Sequence, residues 1–148
     1  MPYTSVPPDG YWESYTPTWG STGTQPAIGN GTLSGEFSRN GRIVVASAKV
    51  TIGSTTTLGT GIYNLSLPIP ASASVERAGG LVALGLDTSA GQNIIALGYE
   101  ASTTTMGALG YLLNAAAATV IDWLAAGFPV TWANGDYFVF KLLYESAA

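Results

Sequence analysis

The side chains that could do chemistry in this chain are few. Nine carboxylates are spread along it: Asp9, Glu13, Glu36, Glu76, Asp87, Glu100, Asp122, Asp136 and Glu145. Histidine and cysteine are both absent. Imidazole-dependent triads, thiolate nucleophiles and Cys zinc sites are therefore excluded, and only carboxylate or lysine chemistry remains as an enzymatic route. Glycoside hydrolysis would need two carboxylates held across a scissile bond, yet no motif brings two of the nine together. They read as solvated loop residues. Asp136, in the turn Asn134-Gly135-Asp136, is expected to bond local backbone. The alternating acidic spacing of a calcium loop is missing around it. Catalytic, cofactor and metal sites are accordingly expected to be absent.

The aromatic residues offer a different possibility, because planar rings suit the faces of sugars. Trp12, Trp19, Trp123 and Trp132 stand beside eight tyrosines. In an all-β protein such residues serve more often as core or as subunit contacts, so glycan contact is the secondary reading. The glycine pairs in Gly29-Asn30-Gly31 and Gly79-Gly80 do not open a helix after a strand, as a phosphate cradle requires, and read as turns.

Composition narrows the class further. Apolar residues make up 47% of the 148 positions and charged residues only 9%, against about 25% in an ordinary soluble domain. A surface covered by Ser, Thr, Asn and Gly suggests a protein that lives in an assembly. The net charge is −4, and the five basic residues Arg39, Arg42, Lys49, Arg77 and Lys141 are scattered, so no stripe can track phosphates. Nucleic-acid binding is not expected. The start Met1-Pro2-Tyr3-Thr4-Ser5-Val6-Pro7-Pro8 lacks the basic and apolar regions of a signal peptide, which implies synthesis in the cytoplasm without export by that route. The apolar stretch 115–126 is interrupted by Thr119 and Asp122, falling short of the ~20 residues of a membrane span. Membrane insertion is not expected.

The elements that must position these residues are strands. Residues 1–18, with Pro2, Pro7, Pro8 and Pro17, read as an extended arm. Its aromatic residues Tyr3, Tyr11, Trp12 and Tyr15, with Trp19 just beyond, are the expected contacts to a partner. Residues 19–148 read as one domain, a size that buries a self-sufficient core. Leu33 and Phe37 alternate through 30–38, and Arg39-Asn40-Gly41-Arg42 supplies an Asn-Gly pair suited to a type I′ hairpin. In 43–52, Val44, Ala46, Ala48, Val50 and Ile52 share the face expected to point inward. The Ser-Thr run 54–57 makes a loop. Tyr63, Leu65, Leu67 and Ile69 share a face in the next strand, which Pro68 and Pro70 end.

Strands at 81–86 and 94–99 are joined by Asp87-Thr88-Ser89-Ala90-Gly91, and a further pair spans 105–113 and 118–123. The alanine run in 115–126 suits a short helix as an alternative. The last strand, 137–144, places Phe138, Phe140, Leu142 and Tyr144 on one face. About eight short strands with turn-rich connections indicate an all-β, antiparallel β-sandwich, jelly-roll-like, with an extended N-terminal arm.

Several of these pieces occur together in a known module: Tyr15-Thr16-Pro17-Thr18-Trp19, then Gln25-Pro26-Ala27-Ile28-Gly29-Asn30-Gly31-Thr32-Leu33-Ser34-Gly35, then Leu65-Ser66-Leu67-Pro68. Pro129-Val130-Thr131-Trp132-Ala133-Asn134-Gly135-Asp136, running on to Tyr144-Glu145, completes the set. The set resembles a β-sandwich domain of virion proteins from tailed phages of actinobacteria, known as minor tail proteins or as decoration and appendage proteins. The resemblance covers residues 15 to 145, and the order of the motifs is its distinctive part. It implies a structural protein on the virion surface, a homotrimer, whose partners are the major capsid protein or tail proteins. In that family the module frequently ends a longer tail protein. Here it follows a short arm, which favours capsid decoration on the shell exterior, with a tail-tip or fibre module recognising host glycans as the alternative.

Overall fold

The computed structural model describes residues 11–73, 82–112, 122–127 and 130–147. Those residues form strands and connections with no helix among them. There are ten strands: β1 (Glu13–Tyr15), β2 (Trp19–Ser21), β3 (Thr32–Asn40), β4 (Ile43–Thr51), β5 (Tyr63–Ser66), β6 (Val82–Asp87), β7 (Gln92–Glu100), β8 (Thr105–Leu112), β9 (Asp122–Trp123) and β10 (Tyr137–Glu145). Every pairing is antiparallel, and the hydrogen-bonded path runs β1-β3-β4-β10-β6-β7-β8-β5-β2, with β9 beside β8. The path divides into a layer of six strands and a layer of three, the antiparallel β-sandwich that the sequence indicates.

The core follows from alternation in the two longest central strands. Val44, Ala46, Ala48 and Val50 of β4 are buried, and so are Phe138, Phe140, Leu142 and Tyr144 of β10. The nine-residue register sets Phe140 opposite Ala48 and Leu142 opposite Ala46, large against small, the alternation that close packing of an inner surface favours. From the three-stranded layer Trp19, Tyr63, Leu65 and Met106 close over this surface. Tyr63 stacks on Phe138 with centroids 5.6 Å apart, and Trp19 meets Tyr63 edge-on at 5.0 Å. Trp132 adds a further ring against Phe138 at 5.1 Å and donates from Nε1 to the Ala125 carbonyl. These offset and edge contacts each add about 0.5–1.5 kcal/mol beyond burial alone.

The ends of the strand path are consecutive in sequence. β1 pairs with β3 in one layer and β2 with β5 in the other, and only Thr16-Pro17-Thr18 lies between them. Pro17 is buried at the crossing. Around it Ser66 binds both sides of Thr18, its N–H donating to the Thr18 carbonyl and its hydroxyl accepting from the Thr18 N–H, while Tyr15 Oη donates to the Ser66 carbonyl. A strand that switches layers in this way makes a corner of the sandwich.

Seven of the ten strands fall where the sequence pattern places them, β9 lies at the end of the expected strand 118–123, whose other residues fall outside the described ones, and β1 and β2 are additional. Of the segment 1–18 read as an arm, residues 1–10 lie outside the described residues. Tyr11 and Trp12 are exposed, and Glu13–Tyr15 belong to the sheet. The hairpin at 40–43 is present with a changed turn. Asn40 pairs with Ile43, so Gly41 and Arg42 are the central residues, and positive φ occurs only at Gly41 (φ 58°). That is the sign pattern of a type II′ turn, not the type I′ turn that Asn40-Gly41 suggests, because the β3–β4 register leaves Asn40 in the ladder. The helix-or-strand alternative for 115–126 and the turn at Gly79-Gly80 lie mainly outside the described residues, where only β9 and the segment after it are seen.

Candidate interaction surface

Among the described residues two carboxylates are buried, Asp87 and Asp136, and both are fastened to loops. Asp136 follows directly on the Ala133-Asn134-Gly135 turn and is fully buried. Its Oδ1 accepts from the N–H and hydroxyl of Thr88 at 2.8 and 2.9 Å, and its Oδ2 accepts from the Ala133 N–H at 2.7 Å. The local bond to backbone is the one its turn sequence suggests; the bonds to Thr88 span 48 residues and tie the β6–β7 connection to the start of β10. Asp87 accepts from Ser89 Oγ and from the Ala90 N–H, closing its own turn. Both groups brace the loops that hold them. Among the described residues, no three of His, Cys, Asp and Glu gather.

The loops at the same end of the sandwich are zipped together by uncharged side chains. Asn30 Oδ1 accepts from the N–H and hydroxyl of Thr55, and Asn30 Nδ2 donates to Ser54 Oγ. Thr60 Oγ1 accepts from the Thr24 N–H, and Thr22 Oγ1 from the Ile62 N–H. Hydroxyls that satisfy backbone donors replace regular structure here. The result is a surface of Ser, Thr and Asn without charge.

The expected contact residues separate by burial. Tyr3 lies outside the described residues. Tyr11 and Trp12 are 64% and 54% exposed. Tyr15 is half-buried, its ring edge-on to Phe37, and Trp19 is core. Burial pushes the Tyr15 hydroxyl well above the ordinary tyrosine range, with neighbouring Tyr144 adding to the shift; burial alone does the same for Tyr63. Trp19 Nε1 is buried with no hydrogen-bond partner among the described residues.

A larger exposed feature is the outer face of the six-stranded layer. Residues directly opposite in an antiparallel ladder project to the same side. Ile43 and Val45 of β4 therefore share the outer face with Val139 and Leu143 of β10, which pair with Lys49 and Val45. Ile43 and Leu143 are exposed, and Val45 and Val139 are half-buried. Leu86, Ile95 and the exposed Leu97 extend the apolar surface through β6 and β7. Three of the five large hydrophobic residues exposed among the described ones lie on this face.

Its charges are few and specifically placed. Arg42 and Glu145 pair at 2.9 Å at one end. Lys49 is drawn onto the Tyr137 ring, its Nζ 4.1 Å from the centroid. Glu36 of β3 and Lys141 of β10 flank Ser47 of β4 in one row, on opposite sides of it. The signal for this face was present in sequence as apolar residues on both alternating sets, in Ile43-Val44-Val45 and in Leu142-Leu143. Pattern alone could not say whether the second set meets another element or solvent.

The described architecture defines the class as an all-β sandwich. No family model, curated protein or solved structure matches the chain.

Proposed function

We propose that this chain is a non-enzymatic structural protein of a bacteriophage particle, a capsid decoration protein that acts on the outer surface of the shell by packing against other protein. The observation that carries this reading is the apolar outer face of the six-stranded layer, in a chain where only 9% of residues are charged. Contiguous exposed apolar area in so weakly charged a surface marks a protein–protein contact. Each copy need bury only a modest area, worth ~25 cal/mol per Å² before association costs, because many copies on one shell add their effects. The hydrogen-bonded, uncharged loops at the sandwich end suit a surface that faces outward. The resemblance to phage virion modules supports the reading from sequence; in the fold its motif residues are structural, with Trp19 and Trp132 in the core, Asn30 zipping two loops and Asp136 bracing a third.

Tyr11 and Trp12, exposed just before β1, are the residues to contact the major capsid protein. The test is removal of residues 1–12, which leaves β1 intact; removing 18 would take away the Tyr15 and Pro17 corner. The truncated protein is expected to fold with an unchanged circular dichroism spectrum and to bind undecorated particles much more weakly. Undiminished occupancy would show that the segment has no part in attachment. The same two aromatic residues favour a second reading, a tail-tip module stacking on host glycans. Copy number per particle separates the two: hundreds indicate the shell, a dozen or fewer the tail, and none would end both.

A further inference from the structure

The charges on the outer face are distributed in a way that fits a second copy of the same chain. Glu36, Ser47 and Lys141 occupy one row across β3, β4 and β10, with opposite charges on either side of the central strand. Glu36 is exposed, and so is Lys141. The ion pair seen among the described residues is Arg42–Glu145, and neither Glu36 nor Lys141 has an oppositely charged partner among those residues.

We infer that the outer face of the six-stranded layer packs against the same face of a second copy about a two-fold axis running along β4. Rotation about such an axis exchanges the two sides of β4, laying β3 of each copy over β10 of the other. Glu36 of each copy then meets Lys141 of its mate, twice per dimer. Along the axis Ile43 and Val45 meet their own counterparts, and Leu143, beside Val45 in the ladder, lies over Ser38 of the mate at the flank of that apolar line. Lys49, which a straight projection would bring near its counterpart, is turned aside onto Tyr137. An isologous interface requires self-complementarity of this kind. Two sheets stacked face to face bury alternate side chains of each, as in the interior of a sandwich.

The opposite charges fix the partner as a second copy and fix its orientation. A rotation axis at right angles to β4 would set Lys141 against Lys141 and Glu36 against Glu36, and like charges in contact suppress that arrangement. The outer face is then the contact between copies, a dimer in place of the homotrimer that the resemblance implies, and attachment to a particle falls to Tyr11 and Trp12, so particle binding and self-association can fail separately.

Charge exchange provides the test, read by sedimentation equilibrium of the full chain over a concentration series. The natural chain is expected to reach the mass of two subunits. Lys141→Glu and Glu36→Lys each place like charges at two contacts and are expected to raise the dimer Kd roughly tenfold or more. The double variant restores opposite pairing with reversed sign, and its Kd is expected to return close to that of the natural chain. Leu143→Lys, at an exposed position, should weaken the dimer while leaving the circular dichroism of the diluted monomer unchanged. A natural chain that stays monomeric, a mass of three subunits, or a double variant no tighter than the singles would each overturn the inference.

Discussion

The ring of Tyr15 fills the space in which residue 35 would carry a side chain. Tyr15 and Gly35 are direct partners across β1 and β3, and a Cβ built on Gly35 would stand 2.7 Å from Tyr15 Cζ. An aromatic ring laid over a glycine in the neighbouring strand covers backbone that would otherwise be bare. It also pins β1, which has three paired residues, at the corner where the chain changes layers. Gly35→Ala is expected to lower stability by about 1–3 kcal/mol, since the ring is held by its edge contact with Phe37 and its hydroxyl bond to the Ser66 carbonyl and must be displaced. Urea unfolding checks it; an unchanged midpoint would mean that the corner is looser than described. Adding Tyr15→Leu to the alanine variant should recover part of the loss, as a smaller side chain relieves the overlap.

Asp136 joins two loops by charge-assisted hydrogen bonds, and its removal leaves the Thr88 and Ala133 N–H groups without their acceptor. Asp136→Ala is expected to cost about 2–4 kcal/mol in chemical denaturation. Glu13→Gln, an exposed position at the sheet edge, should stay within about 0.5 kcal/mol. Equal effects of the two substitutions would contradict the bracing role.

Alkaline pH should unfold the protein through its buried phenols. Tyr63 and Tyr15 both have hydroxyl pKa values raised in the folded chain by burial. The folded state therefore holds these protons more tightly than the unfolded state, where tyrosine ionises near ~10. Their contribution is complete below that pH and is lost progressively as pH climbs above it. Urea midpoints measured at pH 8 and pH 11 should fall between the two for the natural chain. Tyr63→Phe also gives up a hydrogen bond to the Leu58 carbonyl, costing about 1 kcal/mol at pH 8, but it should show a shallower decline with pH. An identical decline in the variant would rule out Tyr63 as a contributor.

The β3–β4 turn offers a test of backbone conformation alone. No atom lies within 4 Å of a Cβ placed on Gly41, so its positive φ is the whole constraint. Gly41→Ala is expected to cost about 1 kcal/mol, and Gly41→Asn less, because asparagine tolerates the left-handed region better. Thermal unfolding would resolve the order of the three; alanine equal to glycine would mean that the turn adopts another form.

Much of the fold was legible because alternation is a local property. Val44, Ala46, Ala48 and Val50, and likewise Phe138, Phe140, Leu142 and Tyr144, declare an inward face through their spacing, and the structure buries all eight. The turn at 133–136 was legible for the same reason, as Asn-Gly-Asp bonds its own backbone. The segment 11–19 was not. Its prolines and aromatics suit an extended strand in a sheet as well as an extended arm, and only pairing with β3 and β5 distinguishes them. The bond from Asp136 to Thr88 was invisible to any reading of near neighbours.

The sequence by itself determined an all-β chain, the positions of its longer strands and the faces that must avoid water, since each depends on residues a few positions apart. Tertiary structure decided the order of strands and the burial of Trp19 and Trp132 beside the exposure of Trp12. It also left Ile43, Val45 and Leu143 facing outward with Glu36 and Lys141 on either side of β4. Those outcomes depend on contacts between residues far apart in the chain, where the free energy of closing a loop is set against the surface that closure buries, and no short-range pattern encodes that balance.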